Sequence, residues 1–140
     1  MQAVLAHVDV LKADAVEAEM LTGKADVRAA AQALADFGPA EIVLTHRDGV
    51  LVYASGRFHE AGFFPRELVG RSGRGDTCIA AYVARRLAAG QPQTGSPTEA
   101  TVWAAAVASL KMEGEGPFRG EIGEVERLIQ DRYSVDASTC

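Results

Sequence analysis

The chain predicts an α/β fold, with helices layered on a partly parallel sheet. Three features predict it. Short strand-like runs interleave with segments of helical period, the pattern of a layered α/β architecture. Ile42-Val43-Leu44 is a continuous apolar run, suited to a strand buried on both faces. A glycine-rich turn, Gly70 to Gly75, opens directly into a helical stretch.

The elements follow in order. Val8 to Leu11 reads as a short strand and Asp14 to Leu21 as a helix, with Val16, Met20 and Leu21 on a shared face and Gly23 as its stop. A second helix, Asp26 to Phe37, turns Val27, Ala30, Ala31 and Leu34 inward. Gly38-Pro39 ends it, since proline lacks the backbone donor a helix needs. The Ile42 strand leads through the tight-turn signal Asp48-Gly49 into Val50 to Ala54, a hairpin. Arg57 to Ala61 adds a strand after Ser55-Gly56, and Leu68-Val69 leads into the glycine turn.

The helix after that turn is expected over Asp76 to Ala89, with Ile79, Val83 and Leu87 on the stripe that meets the sheet and a stop at Gly90 and Pro92. Ser96-Pro97-Thr98-Glu99 has the form of a capping box with proline at the first helical position, and its helix runs through Trp103, Val107 and Leu110. Trp103 reads as core. A last helix, Ile122 to Arg132, carries Val125, Leu128 and Ile129, and the tail 133–140 is expected to fray.

At 140 residues the chain fits one domain, given roughly 100–200 residues per domain. Hydrophobic residues make up 48%, which supports a packed core rather than disorder. A net charge of −5 argues against nucleic acid, because backbone affinity needs clustered Lys and Arg. Cys78 and Cys140 have no spacing for a disulfide framework or a zinc site, and His7, His46 and His59 show no metal spacing. The N-terminus lacks a signal-peptide pattern and no run reaches the ~20 apolar residues of a membrane helix, so a reducing cytoplasm is the expected setting.

Chemistry concentrates in Gly70-Arg71-Ser72-Gly73-Arg74-Gly75-Asp76-Thr77. Glycines let backbone N–H groups face a ligand, and a helix's first turn favours anions. A carboxylate there repels a phosphate but can accept the proton of an attacking hydroxyl, while the backbone donors hold the transferring phosphoryl group. The plain alternative is that Asp76 caps its helix. Upstream, Asp14-x-x-Glu17 opens a helix that runs on to Leu21-Thr22-Gly23, and this too is close to an ordinary capping box. The phosphate loop of the Gly-x-x-x-x-Gly-Lys-Ser/Thr type and the dinucleotide fingerprint are both missing. Arg74-Gly75-Asp76 matches an adhesion tripeptide by chance. Cys78 reads as a small buried thiol.

The two segments together, in this order, resemble the ribokinase-like (PfkB) carbohydrate kinases, in which Asn-x-x-Glu opens a helix ending in Leu-Thr-Gly and a Gly-Ala-Gly-Asp signature starts a later one. The resemblance runs from about Val8 to at least Leu110 and matches the C-terminal part of that fold. It implies Asp76 as catalytic base, Gly73, Arg74 and Gly75 as the anion hole, and a nucleotide against Asp14, Thr45 and Gly49, with the Ala104 to Lys111 helix near the adenine. It also implies Glu17 organising Mg²⁺ through water. The cofactors implied are ATP and Mg²⁺, with a monovalent cation admitted.

Departures are Asp14 for the family's Asn, Arg74 for a small residue, Gly70 for a common Asp, and Arg47 where a Gly often follows the Thr45 position. Arg74 is a candidate cation near the phosphoryl oxygens. The expected activity is ATP-dependent phosphorylation of a sugar or polyol hydroxyl. The sugar-selecting half and its lid are absent from these residues, so the piece alone is expected to turn over weakly or not at all, and either to belong to a longer chain or to self-associate. A non-catalytic nucleotide-binding or interaction module, and an unrelated α/β binding domain, stay open. The kinase reading expects the helix starts near Glu17 and Asp76 to share one pocket.

Overall fold

The computed structural model describes residues 2–88 and 95–133. Its contacts divide the chain into two compact units, 1–60 and 61–140.

The first unit opens with a short helix α1 (Gln2–Leu5), then β1 (Val10–Asp14), α2 (Ala15–Thr22), α3 (Val27–Ala35), β2 (Glu41–His46) and β3 (Gly49–Ala54), with β4 (Arg57–Gly62) closing the strand order β1-β2-β3-β4. β1 and β2 are parallel, which requires a long crossover, and α2 with α3 provides it. β2 and β3 form an antiparallel hairpin with His46 opposite Gly49, so the sheet is mixed, as expected. Ser55 and Gly56 both take positive φ, 51° and 74°, which matches the twist of a two-residue hairpin between β3 and β4.

The core of this unit joins Ala30, Ala31 and Leu34 of α3 to Ile42 and Leu44 of β2, Leu51 of β3, and Ala13 and Ala18. Val43, Val50 and Val52 are fully buried as well, so the central strands bury both faces. The α3 face is the one the sequence predicts. The α2 face is not: Val16 is 67% and Met20 81% exposed, Leu21 is exposed too, and only Ala18 is buried. After α3 the chain passes close to α1. Gly38 has φ 131°, and a Cβ there would stand 2.6 Å from the Ala6 Cα, so no side chain fits. β1 spans residues 10–14 rather than 8–11, because the crossover helix begins only at Ala15.

The second unit is helical: α4 (Arg74–Leu87), α5 (Pro97–Met112) and α6 (Ile122–Arg132), with α5 packed against both others. Every residue from Ala104 to Ser109 is buried, so α5 is covered all round, as a central helix must be. α4 buries Cys78, Ala81 and Tyr82, one position away from the predicted Ile79, Val83, Leu87 stripe, and Leu87 is 79% exposed. Cys78 is fully buried, the small inert thiol expected. The capping box at Ser96 closes only halfway. Ser96 Oγ accepts the Glu99 N–H at 3.2 Å, while the Glu99 carboxylate turns to Arg85 at 3.4 Å. α6 matches its predicted span, burying Val125 and Leu128. The predicted stop at Gly90 and Pro92 and the tail beyond Tyr133 lie outside the described residues.

Candidate functional site

The glycine turn is fastened to the C-terminal end of α5. The Met112 carbonyl accepts the N–H groups of Val69 and Gly70 at 2.9 and 3.1 Å, Ser109 Oγ accepts the Phe64 N–H at 2.9 Å, and Arg66 grips the Glu113 carboxylate at 2.7 Å. The hydrogen bond to Glu113 holds the Arg66 guanidinium above its ordinary pKa. Four anchors along the seven residues from Phe64 to Gly70 give the turn a fixed position on its helix.

From there Gly73 enters α4 in the left-handed conformation, φ 75° and ψ 6°, as a cap without a side chain. A residue with a Cβ is strained in that region, so glycine is the natural occupant. Arg74 N–H bonds back to the Arg71 carbonyl at 3.1 Å and Thr77 N–H to that of Gly73 at 3.0 Å. Between them, the N–H groups of Gly75 and Asp76 have no acceptor among the described residues. Two unpaired donors at the positive end of a 14-residue helix form an anion-attracting corner.

Asp76 is the third residue of α4, not its first. It is therefore not the helix cap, and its plain role is that of a first-turn acid that complements the helix dipole. The sequence places the boundary two residues late because glycines at Gly73 and Gly75 read as loop, whereas Gly73 is itself the cap. The Asp76 side chain is exposed and borders a cleft of about 470 Å³ walled by Thr77, Ala80, Trp103, Val107, Phe118 and Val125. Trp103 is half-buried rather than core, with Arg85 stacked 4.6 Å over its ring. Arg74 stacks over Phe63, its guanidinium carbon 5.1 Å from the ring centroid.

In the first unit, Asp14 and Thr45 are register partners at the carboxyl ends of the parallel strands β1 and β2. Open α/β sheets bind ligands at that edge. Gly49 begins β3 opposite His46, one position along from the Thr45–Val50 pair. Asp14 caps α2: its Oδ1 accepts the Glu17 N–H and Glu17 Oε2 accepts the Asp14 N–H, both at 2.8 Å. The capping box is thus complete, and one Glu17 oxygen is committed to it.

No group of three or more metal-ligating His, Cys, Asp or Glu occurs among the described residues. His59 is held below its ordinary pKa, first by burial and then by Arg57. No helix of the described residues is long and apolar enough to cross a membrane. One residue beside the turn was given no role of its own by the sequence, which names it only as the end of the Ala104 to Lys111 helix: Lys111, buried in α5. Its signal was a lysine near the end of the Val102 to Met112 stretch, which is otherwise apolar apart from Ser109.

The profile of the pfkB family of carbohydrate kinases matches residues 1–120. Among solved structures, a pyrophosphate-dependent kinase in the ribokinase family, complexed with a pyrophosphate analog and myo-inositol, is 40% identical, with a TM-score of 0.78 over 90% of this chain and 43% of that one. A pyrophosphate-dependent myo-inositol-1 kinase converted by mutation into a myo-inositol-3 kinase is 39% identical, with a TM-score of 0.79 over 94% of this chain and 45% of that one. The ribokinase of Arabidopsis thaliana, complexed with ribose and ATP, shares the fold at 23% identity, with a TM-score of 0.79 over 93% and 43%. No curated protein matches the chain. The chain spans less than half the length of these solved kinases. With a family match across most of its residues and a ribokinase-type α/β fold in both units' elements, the chain belongs to the pfkB family of carbohydrate kinases.

Proposed function

We propose that this chain is the donor-binding and catalytic part of a kinase that moves a phosphoryl group onto a hydroxyl of a sugar or polyol. The observation that carries the proposal is the start of α4, where the unpaired N–H groups of Gly75 and Asp76 share one helical turn with the Asp76 carboxylate. Donors aimed at developing charge and a base for the attacking hydroxyl are the two things in-line transfer needs from a protein. Asp76 takes the hydroxyl proton, and the turn Gly73-Arg74-Gly75 holds the phosphoryl oxygens. The family resemblance assigns Asp14, Thr45 and Gly49, at the carboxyl edge of the first unit's sheet, to the donor as well.

Mg²⁺ fits the residues in one way. A lone carboxylate half engaged in a capping box suits an ion that keeps its waters and is held chiefly by donor phosphates. Glu17 would hold one of those waters, and the ion when bound neutralises charge on the donor. A monovalent cation is a further candidate, and assays in potassium and in choline salts decide whether one is needed.

ATP is the donor the family resemblance implies. A second reading is pyrophosphate, favoured because the pyrophosphate-dependent kinase is 40% identical to this chain and the ATP-complexed ribokinase 23%. The phosphate-gripping turn makes no demand for an adenosine. Parallel assays of the two donors with myo-inositol and ribose as acceptors separate the readings.

The test of the core proposal is Asp76→Asn in the longest native polypeptide that carries this chain. A loss of about 10²- to 10⁴-fold in kcat with donor affinity kept is expected. Full turnover in the variant would remove the base. Donor binding without turnover in the wild type would favour the non-catalytic module.

A further inference from the structure

Lys111 is 5% exposed, yet no hydrogen bond or ion pair reaches its side chain among the described residues. The stem carries this burial, while the ammonium tip is not among the enclosed atoms and keeps an opening to solvent, the space in which an anion could meet it. The surroundings make the case sharper. A Cβ built on Gly73 would stand 3.6 Å from Lys111 Cε, so the lysine runs along the turn at the head of α4. That head is the positive end of a helix, with the Gly75 and Asp76 N–H groups unpaired. A cation and a helix N-terminus repel each other, and they are stable side by side when an anion lies between them.

The backbone supports the same arrangement. Met112, the next residue, accepts the Val69 and Gly70 N–H groups through its carbonyl. Adjacent residues of α5 thus fix the turn's main chain and lay an ammonium stem beside it. Arg74, the cation the sequence offers for this role, also lies over Phe63.

We infer that Lys111 is a phosphate-binding residue of the donor site, its ammonium completing the anion corner formed by Gly73, Gly75 and Asp76. The ligand is a di- or triphosphate group, and the inference rests on the kinase reading for which phosphate is transferred, not for the binding itself. Lysine acts here as a point charge, as it does in other phosphate sites.

The experiment compares wild type, Lys111→Met and Lys111→Arg in the longest native polypeptide, by calorimetric titration with pyrophosphate and by steady-state kinetics with both donors. Methionine preserves the buried stem, and arginine restores the charge as a second, conservative variant. The expected result is a tenfold or larger weakening of pyrophosphate binding in Lys111→Met, a matching rise in donor KM with acceptor KM unchanged, and partial recovery in Lys111→Arg. Pyrophosphate affinity within twofold of wild type in a folded Lys111→Met overturns the inference, as does a wild type that binds no pyrophosphate. A wild type that binds pyrophosphate through Lys111 but transfers nothing leaves the inference standing and removes the kinase reading instead.

Discussion

Tyr133 donates its hydroxyl to the Gly62 carbonyl and sets its ring edge-on to Phe64, with centroids 5.2 Å apart. Burial, opposed only by a hydrogen bond with Ser109, pushes its pKa up to about 12. A tyrosine whose folded pKa lies above its ordinary value near 10 adds stability that is complete below that value and disappears as pH rises to the folded one. Wild type should therefore lose stability faster than Tyr133→Phe between about pH 10 and 12. Near neutral pH the same substitution should cost about 1 kcal/mol, because the Gly62 carbonyl loses its donor. Denaturant melts of both proteins across that range check the claim, and parallel pH curves would refute it. The sequence has no way to announce this contact, which joins residues 71 apart. That a glycine turn leads into α4 with Asp76 in its first turn was legible because glycine punctuation and a carboxylate sit together locally. Lys111 was not, since its meaning comes from Gly73, far away along the chain.

The buried strand at Ile42 to Leu44 and the face of α3 were read well, whereas the faces of α2 and α4 were not. α3 places Ala30, Ala31 and Leu34 on one side, so its phase follows from its sequence. α2 spans only eight residues, with apolar side chains spread round it, and packing on α3 selects Ala18 alone. In α4 the small residues Cys78 and Ala81 go inward with Tyr82 because α5 approaches closely there, a preference hydrophobicity alone ranks below Ile79 and Leu87. The capping box of α2 separates two roles of one residue. Asp14→Ala should destabilise the fold by about 1 kcal/mol, whereas Asp14→Asn, an equally good cap, should stay within about 0.5 kcal/mol of wild type. If Asp14→Asn unfolds as readily as Asp14→Ala, the cap is not what holds this helix. If it melts like wild type and alters donor affinity, the carboxylate itself acts on the donor.

At the scale of the whole molecule, each unit carries exposed apolar side chains. β1 ends the strand order, so among the described residues its outer edge has no neighbour. Val4, Val16 and Met20 of the first unit, and Phe64, Leu68, Val69 and Ile122 of the second, are all exposed. Solved kinases of this fold are more than twice as long as the chain. Residues 1–140 expressed alone should consequently self-associate with rising concentration and bind a hydrophobic dye, because exposed patches of this kind seek partners. Replacing Val16 with Glu and Met20 with Lys should weaken both effects with little cost to stability, since neither side chain contributes to the core. Light scattering after size-exclusion chromatography reads the outcome directly. A monodisperse, dye-free monomer would mean that α2 and the β1 edge are content in water, and that this face was never built to be covered.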